Sequence, residues 1–132
     1  MKIRVLVFED NDALRSSLKN ILEALDYDVR TFSNPGMCSE FYSSEHSCLL
    51  DDSCSDIILS DINMPVETGL EFIKRRFSNG CKVRFRALMS ADWDEFDLKQ
   101  AEEIGCKIFH KPFDLKELIK WLDNCRKEIE KI

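Results

Sequence analysis

The sequence predicts an α/β domain with a doubly wound, five-stranded parallel sheet covered by helices on both faces. Three observations lead to this prediction. Short apolar runs alternate along the chain with amphipathic stretches of helical spacing. The apolar runs are nearly continuous, which is typical of strands buried on both faces. Several of them end directly in polar or charged residues, as the carboxyl ends of strands do in such a sheet.

The first part of the chain is predicted to form a strand, a helix and a second strand. The run "IRVLVF" predicts strand one over residues 3–8, because it is apolar and rich in β-branched residues. Leucine and isoleucine then recur on one helical face, and Asn11 or Asp12 is available as the N-cap of this helix. The run "YDVRTF" predicts strand two over residues 27–32.

The middle of the chain is predicted to contain a helix, a loop and strand three. Asn34 followed by Pro35 predicts the start of a second helix, since proline suits the first helical position. The polar stretch over residues 43–55 lacks a clean period and predicts a loop. The run "DIILSD" then predicts strand three over residues 56–61.

The next elements continue the alternation of strands and helices. Thr68 and Glu71 form a capping box that opens a third helix. The run "VRFRALMS" predicts strand four over residues 83–90. A fourth helix is expected to stop at Gly105, because glycine readily adopts the left-handed conformation that ends helices.

The end of the chain supplies strand five and a final helix. The run "KIFH" predicts strand five over residues 107–110. Asp114, with Glu117 three residues later, predicts the start of the final helix. Connections between parallel strands are right-handed crossovers, which place the helices on both faces of the sheet.

The composition suits one domain over residues 1–132. Of the 132 residues, 44% are hydrophobic and 33% charged, as expected for a compact core. The 19 basic and 25 acidic residues give a net charge of -6, which disfavours direct contact with nucleic acid. The apolar run at the N-terminus is too short for a membrane span. The six cysteines include no Cys-x-x-Cys pair and indicate buried thiols in a reducing cytoplasm.

Five polar residues end or directly follow the predicted strands at the edge where the carboxyl ends of the strands meet. Any one of them alone would be interpreted as a loop residue or a turn cap. Their convergence at one edge of the sheet predicts a functional site. In chain order they are Glu9, Asp10, Asp61, Ser90 and Lys111.

These residue types suit phosphoryl chemistry with a hard cation. Three carboxylates held close together repel one another, and Mg²⁺ relieves that repulsion by taking oxygen ligands. Beside the cation, Asp61 can approach a phosphoryl group as a nucleophile. The ammonium of Lys111 and the hydroxyl of Ser90 can then meet phosphoryl oxygens.

Four short motifs occur in a fixed order along the chain: "FED", "SDINMP" followed by Gly69, "MSA" and "HKPF". With these motifs the whole sequence resembles a receiver domain of two-component response regulators, of the chemotaxis-regulator type. The resemblance implies a flavodoxin-like fold with strand order 2-1-3-4-5. It also implies a signalling switch rather than an ordinary enzyme, with only self-catalysed phosphotransfer and dephosphorylation.

The resemblance assigns roles to the acids of the predicted site. Asp61 would be the phosphoacceptor. Glu9 and Asp10 would be the acidic pair, of which Asp10 is the more direct ligand of Mg²⁺. Asn63 would lend its backbone carbonyl to the same cation.

The resemblance also assigns the groups that handle the phosphoryl group. Ser90 and Lys111 would contact it, and the peptide bond between Lys111 and Pro112 would be cis. Asn63 and Asp92, two residues beyond the acceptor and the hydroxyl, would orient an attacking water. The phosphorylated state is therefore expected to decay relatively quickly.

The aromatic part of the family's switch is where the sequence departs from the pattern. The family couples the hydroxyl of Ser90 to an aromatic residue three positions before the lysine, where this chain has Ile108. Either a register change brings Phe109 into that role, which is the favoured interpretation, or the aromatic part is absent. Trp93 is either a reporter over the site or a surface tryptophan of its loop. His110 is assigned no role.

The predicted function is a phosphorylation switch. A histidine kinase or phosphotransfer protein would load Asp61, and the surface of the fourth helix, strand five and the final helix would change for a downstream protein or output domain. Nucleic-acid and membrane contacts are not expected, and a phosphorylation-dependent homodimer is left open. One alternative is a degenerate receiver that acts as a constitutive binding module. A less favoured one is an aspartyl-intermediate phosphohydrolase, for which Asn63 stands where a second acid is usual.

Overall fold

The computed structural model of the chain describes residues 2–33, 55–64, 68–78, 83–112 and 114–131. The helix predicted at Asn34 and Pro35, and nearly all of the loop predicted over residues 43–55, lie outside the described residues. The third, fourth and final predicted helices are therefore labelled α2, α3 and α4. Within the described residues the elements are, in chain order, β1 (Arg4–Phe8), α1 (Asp12–Ala24), β2 (Asp28–Phe32), β3 (Ile57–Asp61), α2 (Gly69–Ser78), β4 (Phe85–Ser90), α3 (Glu95–Glu103), β5 (Lys107–His110) and α4 (Leu115–Glu130).

The described strands form one parallel sheet with the order β2-β1-β3-β4-β5. This order confirms the predicted doubly wound, flavodoxin-like fold. The first four strands begin one or two residues later than predicted. The register pairs Phe8 with Ser60 and pairs Asp61 with Met89. The central strands therefore end at a common edge, and the polar residues that follow them meet there.

The sheet has two cores, because successive side chains of a strand point to opposite faces. Burial of each large apolar side chain stabilises the fold by roughly 1.5–3 kcal/mol, so packing on both sides fixes the strand ends. The α1/α4 face contains Val5, Val7, Ile57, Leu59, Ala87, Met89 and Phe109 of the strands with Leu18, Leu22, Leu118 and Leu122 of the helices. The α2/α3 face contains Leu6, Phe8, Ile58 and Leu88 with Leu70, Phe72, Ile73 and Ala101.

The helix ends are fixed by residues that the sequence predicts for them. The Asn11 side chain accepts a hydrogen bond of 2.9 Å from the first turn of α1. Thr68 and Glu71 pair at the start of α2: the Thr68 hydroxyl accepts from the Glu71 N–H at 3.1 Å and donates to the Glu71 carboxylate at 3.0 Å. Asp114 caps α4 through a bond of 2.9 Å. Gly105 follows the C-cap of α3 with φ of 74°, a left-handed conformation that suits glycine.

Candidate functional site

Three carboxylates meet at the carboxyl ends of β1 and β3. Glu9 and Asp10 directly follow β1, and Asp61 is the last residue of β3. Each offers one carboxylate oxygen, and these oxygens all lie within 4.8 Å of one another. Glu9 and Asp61 are buried, whereas Asp10 is exposed to solvent. Hard oxygen ligands at these separations can hold a metal ion, and the exposed Asp10 leaves the cluster open to one.

The ammonium of Lys111 lies beside two of these acids. Its Nζ donates to Glu9 Oε1 at 2.6 Å and lies 3.2 Å from Asp61 Oδ2. Lys111 directly follows β5, and its backbone N–H donates to the carbonyl of Ser90 at 2.9 Å. The peptide bond between Lys111 and Pro112 is cis, as the resemblance implied. One cation therefore bridges acids that come from two other strands.

The protonation of this cluster follows from its burial. Burial raises the pKa of Glu9 to about 7, the hydrogen bond from Lys111 opposes this effect, and the neighbouring Asp61 adds to it. Burial alone would lower the pKa of Lys111, but its contacts with Glu9 and Asp61 raise that pKa overall. Lys111 therefore stays charged at neutral pH, whereas Glu9 can hold a proton that a bound cation would displace.

The start of α2 packs against the main chain around Asp61. The backbone N–H of Gly69 donates to the carbonyl of Ile62 at 2.8 Å. A Cβ added at Gly69 would overlap the carbonyl oxygen of Asp61 and lie 2.9 Å from the hydroxyl of Ser60, so only glycine fits this approach. The N–H of Asn63 donates to the Asp61 carboxylate at 3.3 Å. The loop after β3 thus helps to orient the carboxylate.

Ser90 ends β4, next to β3, and its side chain is buried. The Ser90 hydroxyl oxygen accepts a hydrogen bond from the N–H of Asp92 at 3.1 Å. The loop after β4 therefore holds the Ser90 hydroxyl oxygen by a backbone hydrogen bond. The Asp92 side chain is exposed, as is that of Asn63 in the loop after β3. The structure thus places both predicted dephosphorylation residues in solvent-accessible loops at the edge where the acids lie.

The register of β5 decides which of its side chains shares a face with Ser90. β4 and β5 pair continuously up to Ser90, which lies opposite His110. Phe109 is buried on the α1/α4 face. Ile108 packs on the α2/α3 face, which Ser90 shares by strand alternation. The pairing is continuous and places Phe109 and Ser90 on opposite faces of the sheet, so this structure does not bring Phe109 beside Ser90, and its role in the switch stays a prediction.

Arg15 is a site residue that the sequence analysis did not single out. Its guanidinium donates to the backbone carbonyl of Glu9 at 3.0 Å and to the carboxylate of Asp12 at 2.6 Å. These two bonds tie the first turns of α1 to the residue that follows β1. The spacing of Asp12 and Arg15 at i and i+3 on a helix is a recognisable pairing signal, but it does not reveal the contact with Glu9.

The comparisons with known proteins identify the family. The family model described as the response regulator receiver domain matches residues 5–123. The chain therefore belongs to the response regulator receiver domain family, a family of signalling switches, and the predicted resemblance is confirmed. Among the described residues, no helix combines the length and the apolar character that crossing a bilayer requires.

Curated relatives share this domain as part of longer chains. The chain is 30% identical over 115 residues to the DNA-binding transcriptional regulator NtrC of Azospirillum brasilense, covering 87% of this chain and 22% of that protein. It is 29% identical over 124 residues to the peroxide stress-activated histidine kinase mak3 of Schizosaccharomyces pombe, covering 90% of this chain and 5% of that protein. The chain thus spans only a small part of these relatives.

Solved structures show the same fold. The N-terminal domain of an uncharacterized protein from Wolinella succinogenes matches with a TM-score of 0.81 at 24% identity, covering 98% of this chain and 99% of that one. The chemotaxis protein CheY4 of Vibrio cholerae matches with a TM-score of 0.75 at 24% identity, covering 95% of this chain and 99% of that one. These likenesses confirm the fold prediction.

Proposed function

We propose that this domain, over residues 1–132, is a phosphorylation switch that accepts a phosphoryl group on Asp61. The donor would be a phosphohistidine of a histidine kinase or of a phosphotransfer protein. The observation that carries the proposal is the position of the Asp61 carboxylate, which lies within 4.8 Å of two other carboxylates and 3.2 Å from the Lys111 ammonium. A carboxylate between a cation-holding cluster and a fixed ammonium can approach an anionic phosphoryl group.

In the proposed transfer, one carboxylate oxygen of Asp61 forms a bond to phosphorus while the P–N bond to the donor histidine breaks. The electron pair of that bond stays on the imidazole nitrogen, which takes up a proton. Mg²⁺ bound by Asp10, Asp61 and the Asn63 carbonyl, with Glu9 in support, would neutralise charge on the phosphoryl oxygens. Lys111 supplies a second positive charge, because its ammonium already lies beside Asp61.

Ser90 is proposed to bind another oxygen of the phosphoryl group. Its hydroxyl oxygen accepts a hydrogen bond from the N–H of Asp92, which leaves the hydroxyl proton available as a donor. Ser90 belongs to β4, the strand beside β3, and the last residue of β3 is Asp61. A phosphoryl group on Asp61 could therefore be met by the hydroxyl from one side and by Lys111 from β5.

The phosphorylated state is proposed to decay relatively quickly by hydrolysis. The oxygen of a water molecule attacks phosphorus, the bond between phosphorus and Asp61 breaks, and inorganic phosphate and a proton are released. Asn63 and Asp92 are exposed in the loops that directly follow β3 and β4. A polar and an acidic side chain at these places can orient the attacking water.

The surface of α3, β5 and α4 is proposed to carry the signal to a downstream protein or to an output domain. Exposed large hydrophobic side chains at the starts of α3 and α4, Phe96 and Leu115, support contact with a partner.

The net charge of -6 does not favour direct contact with nucleic acid. The free, buried thiols of Cys106 and Cys125 suit a cytoplasmic location. Dimerisation that depends on phosphorylation is also proposed, and the size of the chain in solution before and after phosphorylation tests it.

Intact-mass measurement after incubation with Mg²⁺ and acetyl phosphate tests the proposed function. The wild-type chain should gain one phosphoryl group, and Asp61→Asn should gain none. Asp56→Asn is a matched control, because Asp56 precedes the same strand but pairs with Arg4 at the opposite end, and it should gain the group normally. A wild-type chain that gains nothing would support a constitutive binding module. Turnover of acetyl phosphate without lasting modification would support a hydrolase.

A further inference from the structure

Trp93 joins the loop after β4 to β5. Its indole N–H donates to the backbone carbonyl of Phe109 at 3.0 Å. The ring is half-buried and packs against the α2/α3 core, as Ile108 does. It also lies edge-to-face with His110, with ring centroids 6.3 Å apart. One side chain of this loop therefore contacts both the backbone and a side chain of β5.

The same loop is tied to the Ser90 hydroxyl. The N–H of Asp92 donates to the Ser90 hydroxyl oxygen at 3.1 Å, and Asp92 directly precedes Trp93. Two consecutive residues of the loop thus connect the end of β4 to β5: Asp92 binds the Ser90 hydroxyl, and Trp93 binds the Phe109 carbonyl. If a rotation of the Ser90 side chain moves the hydroxyl oxygen, the first bond changes, and we expect the indole of the next residue to shift.

Phe109 and Ile108 of β5 do not bring an aromatic ring to the face of Ser90, and the ring of His110, which lies opposite Ser90, contacts Trp93. Phe109 is buried on the α1/α4 face, edge-to-face with Trp121 at 5.8 Å between ring centroids. Ile108 shares the face of Ser90, but it has neither a ring nor a polar group. Trp93 thus approaches β5 from the Ser90 end and contacts both its backbone and His110 there.

Resting on the proposed function, we infer that Trp93 transmits phosphorylation of Asp61 from Ser90 to β5, in the place of an aromatic side chain of β5. When the Ser90 side chain rotates and carries its hydroxyl oxygen towards a phosphoryl oxygen on Asp61, the bond of that oxygen with the Asp92 N–H changes. The loop moves with the hydroxyl, and the indole of Trp93 shifts against the β5 backbone. The signal thereby reaches the surface of α3, β5 and α4.

Fluorine NMR of the chain labelled with fluorinated tryptophan tests this inference. The chain has two tryptophans, so two resonances are expected, and Trp93→Phe assigns them. The Trp121 ring packs against Phe109 on the opposite face of the sheet, so its resonance serves for comparison: it reports the end of the proposed path, whereas Trp93 reports its start. Spectra and intact masses are recorded on the same samples in Mg²⁺, before and after addition of acetyl phosphate.

The expected result is a gain of one phosphoryl group with a shift of the Trp93 resonance that exceeds any shift of Trp121. Ser90→Ala removes a proposed ligand of the phosphoryl group and is expected to be phosphorylated more slowly, so the two chains are compared at equal phosphorylated mass, where the Trp93 shift should be lost in the variant. An unmoved Trp93 resonance in the phosphorylated wild type, or a full shift in Ser90→Ala, would overturn the inference. A chain that gains no mass would overturn the proposed function itself, so the two failures are distinguishable.

Hydrogen exchange of the peptide that covers β5 separates transmission from simple packing. In the wild type, phosphorylation should change the exchange of the β5 amides. Trp93→Phe keeps a ring in place but lacks the indole N–H, so it should gain the phosphoryl group and lose this change. If Trp93 only packs against β5, Trp93→Phe will alter the exchange of the β5 amides equally with and without the phosphoryl group. The difference between the phosphorylated and unphosphorylated variant would then equal that of the wild type, which would contradict the inference.

Discussion

The Nζ of Lys111 lies 2.6 Å from the carboxylate of Glu9 and 3.2 Å from that of Asp61, so the ammonium is closer to the supporting acid than to the acid proposed to react. Glu9 is fully buried, and a buried charge depends strongly on its partner. Lys111 therefore holds the ends of β1, β3 and β5 together before any ligand binds.

The pH dependence of the metal-free chain should follow Glu9. Its pKa is about 7 in the folded chain against an ordinary value of 4.5, so the folded state binds this proton more tightly. The resulting stability is fully present below about pH 4.5 and is lost as the pH rises through about 7. Because Mg²⁺ competes with this proton, its affinity should rise over the same range. Thermal unfolding with and without Mg²⁺ at several pH values measures both effects.

Glu9→Gln is the control for this pH dependence. Glutamine cannot titrate, so in the variant both the stability and the Mg²⁺ affinity should depend less on pH. An equal pH dependence in the wild type and in Glu9→Gln would show that another group causes it.

Gly69→Ala should disturb the site more than the fold. The added Cβ would overlap the Asp61 carbonyl, so α2 or the acceptor strand must move, at a cost of about 1–3 kcal/mol. We expect both a lower free energy of unfolding and slower phosphorylation of Asp61. Gly105→Ala is the matched control, because a Cβ there meets nothing within 4 Å and only the φ of 74° is unfavourable. That variant should lose about 1 kcal/mol and keep its phosphorylation rate.

Arg15→Lys should loosen the residues that follow β1. Lysine keeps the charge but cannot hold the Glu9 carbonyl and the Asp12 carboxylate together as the guanidinium does. We expect a loss of about 1 kcal/mol in the free energy of unfolding and weaker binding of Mg²⁺ in calorimetric titrations. Arg84→Lys, at an exposed pair with Glu128, should change neither. An Mg²⁺ affinity equal to that of the wild type in Arg15→Lys would contradict this role.

The lifetime of the phosphorylated state should depend on Asn63 and Asp92. Replacing either by alanine removes a side chain that can orient the attacking water, and we expect hydrolysis to slow by up to about tenfold. The decay of the phosphorylated mass after removal of acetyl phosphate gives the rate. Glu95→Gln changes an exposed acid of the same segment and should decay at the wild-type rate. If the phosphorylated state decayed at the wild-type rate in both alanine variants, Asn63 and Asp92 would have no role in orienting the water.

The sequence was sufficient to predict the sheet and the residues at its edge, because a continuous apolar run followed by an acid is typical of a buried parallel strand and its carboxyl end. It did not predict which of the two adjacent acids after β1 is buried. Glu9 is fully buried and Asp10 is exposed, and this difference comes from packing between strands. The faces of Phe109 and Ile108 likewise depend on the pairing of β5 with β4, which no local pattern specifies.

The place of β5 at one edge of the sheet has a consequence for self-association. An edge strand can pair with another chain and seed aggregation, and proteins limit this with short strands and charged side chains. β5 has four residues, and its first residue, Lys107, is exposed. Joining two copies through their β5 edges into one continuous sheet is therefore disfavoured, so a dimer that used this side of the domain would form mainly through side chains.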